Sequence, residues 1–66
     1  MRKISKMRRV REKKGLRQID LALQAGCSLT WIWLLEQGGQ ERVSRKIKER
    51  VAEALETTVE ELFLEV

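Results

Sequence analysis

The chain has 66 residues, a formal net charge of +4, no His, no Pro and a single cysteine, Cys27. That length allows one domain, residues 1–66, with a modest core. The lone thiol excludes a disulfide staple and fits a reducing, cytoplasmic setting, and no run approaches the ~20 apolar residues of a membrane span.

The apolar residues fall at helical spacing with no alternating run, which predicts an all-α domain. A first helix is expected over Met1 to Lys14, with residues 1–3 as a loose basic arm. Ile4, Met7, Val10 and Arg11 share one side of it. Gly15 ends that helix, and Leu16 tucks in after the turn. Arg17 and Gln18 open a second helix, whose first N–H groups attract phosphate. Leu21, Ala22 and Ala25 face inward. Ile19 and Leu23 form a further apolar stripe that either pads a neighbouring helix or lies exposed.

Gly26 suits the left-handed residue at which a helix ends, and Ser28 suits the cap of the next one. A third helix is expected from Ser28 to Gln37, with Ile32, Leu35 and Glu36 inward. Its outward side then carries Thr30, Leu34 and Gln37, with Trp31 and Trp33 at the edges. Such an apolar outward face is uncommon on a monomeric soluble domain; the alternative for Trp31 is to bend over the second helix and fill core. A helix, a short turn containing Gly and a second helix make a helix-turn-helix unit.

Gly38 to Val43 reads as a loop. Ser44 caps a fourth helix that runs to Leu55 or Glu56, with Ile47, Val51, Ala54 and Leu55 as its stripe. Arg45 and Lys46 in its first turn oppose the helix dipole, and a bound phosphate there would offset that cost. Thr58 to Glu61 has the capping-box pattern of a last short helix. Leu62 and Phe63 close the core, and residues 64–66 form a short tail.

Charge is uneven: residues 1–19 hold nine Lys or Arg against one acid, Glu12, while each later third is net acidic. A basic first segment on a near-neutral chain suits a polyanion, although a solvated charged face would look the same.

Val10-Arg11-Glu12-Lys13-Lys14-Gly15-Leu16-Arg17-Gln18, Leu21-Ala22, Gly26, Ile32, Glu36-Gln37-Gly38 and Ala52-Glu53-Ala54-Leu55 together resemble the Xre/Cro-like, lambda-repressor-like helix-turn-helix domains. The resemblance spans about residues 4 to 63. It implies a five-helix bundle with the helix-turn-helix at helices 2 and 3, and a DNA-binding regulator, typically a repressor, acting as a homodimer on a palindromic site. It implies a buried ion pair between Arg11 and Glu36. Gln18, Ser28, Leu29, Thr30, Trp31, Trp33 and Leu34 fall at its base-contacting positions. Arg17, Arg42, Ser44, Arg45 and Lys46 are the corresponding phosphate-contacting candidates. This chain departs from the family in its apolar recognition helix, and in carrying Glu56 where Gly or Asn usually follows the fourth helix.

A second reading keeps the fold but changes the partner: a protein-interaction module using Trp31, Trp33 and Leu34, since fold does not dictate function. An enzyme is the least favoured class, because no nucleophile or base constellation is present. No metal or other cofactor is expected, because one Cys without His cannot cage zinc.

Overall fold

Each helix starts where the local chemistry can satisfy its free N–H groups. In the computed structural model, which describes residues 5–63, the Ser5 hydroxyl accepts the Arg8 N–H at 3.1 Å, and α1 spans Lys6–Lys13. The first helix therefore begins at its cap rather than at Met1. The expectations for Ile4, the basic arm and the 64–66 tail lie outside the described residues. After α1 come α2 (Gln18–Ala25), α3 (Leu29–Glu36), a 3-10 turn at Gln40–Arg42, α4 (Arg45–Ala54) and α5 (Val59–Phe63). Ser44 caps α4 by accepting the Ile47 N–H at 3.3 Å. Thr58 accepts the Glu61 N–H at 3.1 Å, while the Glu61 carboxylate turns to Lys6, so the capping box is only half made. Ser28 holds the cap position of α3, but its hydroxyl makes no capping bond.

The inward residues are largely those the spacing predicts. Met7, Leu21, Ile32, Val51 and Leu55 are fully buried, and Ala22, Ala25, Leu35, Val43, Ala52 and Leu62 complete the core. Helix α2 sits at its centre, packed on α3 and α4, while α5 closes it against α1 and α4. Ala52 joins the core beside Val51, whereas Ile47 and Ala54 lie at its margin. Burying a large aliphatic side chain contributes about 1.5–3 kcal/mol, so these few residues are the main stabilisation available to a domain this small.

Four of the helices end by one device. The N–H groups of Leu16, Cys27, Gly39 and Thr57 each reach back five residues, to the carbonyls of Arg11, Ala22, Leu34 and Ala52, at 2.8 to 3.1 Å. This closure needs a left-handed residue just before the donor. Gly15, Gly26 and Gly38 take that place in three cases, and Glu56 takes it in the fourth with φ 59°. A residue with a Cβ is strained there. Lys14 meets the Glu56 carboxylate at 2.5 Å, and this hydrogen bond holds the Glu56 carboxyl below its usual range. The contact is exposed and screened by salt, so it offsets little of the backbone strain. Glu56→Gly is expected to raise the melting temperature by about 4–8 °C in a circular-dichroism melt at high salt. An unchanged or lower melting point would show that the Lys14 contact outweighs the strain.

Candidate nucleic-acid interface

The helix-turn-helix is α2, the Gly26–Cys27–Ser28 turn and α3, and a buried ion pair sets its angle to α1. Arg11 Nε lies 2.5 Å from Glu36 Oε2, and Nη2 lies 3.2 Å from Oε1. The third edge of the guanidinium donates through Nη1 to the Leu16 carbonyl at 2.7 Å. Gln18 donates its side-chain amide to Glu36 Oε1 at 3.0 Å. The Arg11 and Glu36 side chains are 9% and 3% exposed. A planar fork with several donors suits such a site better than a Lys would. The pair joins the end of α1, the turn after it, the start of α2 and the end of α3. Gln18 thus lies beside the interface, with its amide nitrogen already engaged.

The outward side of α3 is rotated from the expected one. Leu29 and Trp33 are 44% and 51% exposed, and Thr30 and Gln37 are exposed with them. At ~100° per residue these four lie within an arc of about 100°. Leu34 is instead half-buried, because the backbone folds back over it: a Cβ at Gly39 would stand 3.3 Å from Leu34 Cδ2. Trp31 is also half-buried and packs against the core. The apolar surface foreseen at Trp31, Trp33 and Leu34 therefore reduces to Trp33, with Leu29 one turn away. On α2, Ile19 and Leu23 are both exposed rather than padding a neighbour.

The cations sort into two groups. Lys6, Arg8, Lys14, Arg17 and Arg45 pair with Glu61, Glu12, Glu56, Asp20 and Glu60 on the protein's own surface, and Arg45 also meets Glu49. Among the described residues, Arg9, Lys13, Arg42, Lys46, Lys48 and Arg50 make no ion pair. Helix geometry explains the split on α4. Arg45 and Glu49 share the flank that faces Glu60 of α5. Lys46 and Arg50, four apart, share the opposite flank.

Helix α4 itself packs on α2 of the helix-turn-helix. Burial raises the Cys27 thiol pKa, and the nearby positive charge of Arg50 pulls it the other way. Arg50 is exposed and makes no ion pair among the described residues. It was absent from the sequence-derived candidates, although its spacing of four from Lys46, and of eight from Arg42, is visible in the chain. Of the phosphate-contacting candidates, Arg42 and Lys46 are exposed and unpaired, Ser44 caps its own helix, and Arg17 and Arg45 are held by carboxylates. The Ser28 hydroxyl, at the start of α3, makes no hydrogen bond among the described residues.

The described residues contain no His, Cys, Asp or Glu grouping able to hold a metal ion, and no helix long and apolar enough to cross a membrane. A helix-turn-helix domain family matches residues 5–63. Comparison with curated proteins and with solved structures returns no match. The family match supports a DNA-binding regulator in general.

Two outcomes follow from this geometry. Glu36→Ala leaves the Arg11 charge buried without its partner and is expected to cost about 3–5 kcal/mol in urea unfolding. The double variant Arg11→Met/Glu36→Leu should recover most of that loss. Arg17 holds the Asp20 carboxyl below its usual range by hydrogen bonding through its side chain and backbone. A depressed folded value gives stability that is present above the unfolded Asp pKa and is lost as pH falls through the folded one. Asp20→Asn should therefore flatten the acid limb of the stability–pH curve and leave neutral pH less stable than the parent.

Proposed function

The chain belongs to the helix-turn-helix domain family, and from that premise we propose that it is a cytoplasmic transcriptional regulator. On this reading α3 enters the major groove and the chain acts as a homodimer on a palindromic site. The observation that carries the proposal is the set of exposed cations Arg42, Lys46 and Arg50, unpaired among the described residues, on α4 and the turn before it, with α4 packed on α2 of the helix-turn-helix. Cations left unpaired by the protein itself are the ones ready to displace counterions from phosphate. Ser28 and the first N–H groups of α3 add neutral donors.

A dimer would present two copies of α3 to half-sites about 34 Å apart. A protein-interaction role would rest on Trp33 together with Ile19 and Leu23 of α2. Trp31 and Leu34 are half-buried, whereas Leu23 of α2 is 74% exposed. The cationic flank favours the nucleic acid.

Titration of duplex DNA between about 50 and 200 mM salt tests the reading, with sedimentation of the complex giving its stoichiometry. Affinity should fall steeply with salt. Lys46→Gln and Arg50→Gln should each reduce the slope of log affinity against log salt by about 0.9, whereas Arg45→Gln should leave it unchanged. Absence of salt-dependent binding even at low ionic strength would overturn the proposal.

A further inference from the structure

The α3 sequence Leu29–Glu36 contains no Lys, Arg, Asn or Gln, and its only charged side chain, Glu36, is buried against Arg11. The paired donors and acceptors that read guanine or adenine edges are therefore missing from Leu29–Glu36, and the exposed Gln37 amide on the same side stands at the C-terminal cap, about two turns from Leu29. What the helix exposes instead is Leu29 and Trp33, one turn apart on one face, with Thr30 at the edge of the same arc. Lys46 and Arg50, unpaired among the described residues, lie on α4, which packs on α2 of the same helix-turn-helix. An apolar α3 face in a domain with unpaired cations on α4 complements a surface that is negative at its rails and apolar between them. Among base edges in the major groove, only thymine offers a methyl group.

We propose that Leu29 and Trp33 determine sequence preference by packing on thymine 5-methyl groups, so that the protein selects sites by their methyl pattern rather than by base-edge hydrogen bonds. The proposal rests on the DNA-binding reading above. Contact of this kind removes apolar surface from water on both sides and leaves the phosphate contacts untouched. Its contribution is therefore insensitive to salt, unlike that of the cations. Burying one methyl is equivalent to ~0.8 kcal/mol, or about a fourfold change in affinity.

The test takes the full chain and a duplex enriched from a random pool, remade with deoxyuridine in place of thymidine. This exchange removes the methyls and keeps the charge and the pairing edges. The parent chain should bind the deoxyuridine duplex about fourfold more weakly per contacted methyl, with an unchanged salt slope. Trp33→Ala should shrink the ratio between the two duplexes by about fourfold per methyl it contacts, and Trp33→Ala combined with Leu29→Ser should bring them to equal affinity. Lys46→Gln should weaken both equally and preserve their ratio. Leu29→Ser serves as a second variant, and thermal melts confirm that each variant folds.

Equal affinity of the parent chain for both duplexes, with salt-dependent binding intact, would overturn the methyl reading and leave the DNA-binding one standing. A ratio that survives both Trp33→Ala and Leu29→Ser would remove these residues from the role, as would a random pool that yields no enriched sequence. Failure of the parent chain to bind any duplex at low salt would instead overturn the DNA-binding reading itself. Capture of a second protein by Trp33 under those conditions would point the face to a polypeptide.

Discussion

The Arg11–Glu36 pair is the constraint on which the placement of the helix-turn-helix depends. Three edges of one guanidinium are spent on the Glu36 carboxylate and the Leu16 carbonyl. Gln18 adds a third bond to the same carboxylate. Such a pair adds little net stability over a well-packed apolar alternative, because desolvation consumes most of its attraction. What it supplies is geometry: sliding or rotating α3 against α1 would leave a buried charge without a partner. The apolar core around Ile32 and Leu35 tolerates several rotations of α3, whereas the ion pair accepts one.

The helix ends constrain the chain in a second way. A helix of eight residues is too short to be stable alone, so α1, α2 and α3 each depend on how their ends are closed. The left-handed closures at Gly15, Gly26 and Gly38 return the chain promptly toward the core, and Leu16, Cys27 and Gly39 then pack just beyond them. At Glu56 the same turn is made by a residue ill suited to it, so that the α4–α5 corner carries strain the other three lack. The fold reaches its shape through repeated use of one local motif, and its weakest instance lies outside the helix-turn-helix, between α4 and α5.

Much of this was legible in the sequence because it follows from periodicity and punctuation. The spacing of Leu21, Ala22 and Ala25, the stop at Gly26 and the cap at Ser44 each depend on neighbours within about one turn, and each appears where the spacing places it. The start of α1 was harder, since Ser5 competes with a long helix-compatible basic run. The outward face of α3 was misjudged by part of a turn. Ile32 and Leu35 define the inner side, but the burial of Leu34 depends on Gly39 folding back over it, a contact beyond the helix. Which cations are free was not legible at all. Arg45 and Lys46 are adjacent and chemically alike, yet a ~100° step turns one toward Glu60 and the other away from it.

That step also separates two kinds of work. Cations that meet carboxylates of their own chain orient helices and keep the surface soluble, and a partner must displace those carboxylates before it can use them. Cations left unpaired on one flank carry no such cost. With α3 itself uncharged on its outer side, the charge available to a polyanion lies on α4 and the turn before it, and at Arg9 and Lys13 of α1, while the shape available to a groove lies on α3. On the proposed reading, affinity and selectivity then come from different elements and respond to different conditions. Counterion release governs the first and weakens with salt; burial of apolar surface governs the second and does not. An all-polar recognition helix would mix the two, because the same Arg or Lys can touch a base and a phosphate. Here the chain keeps them apart, and substitutions on α4 and α3 can be expected to alter binding independently of one another.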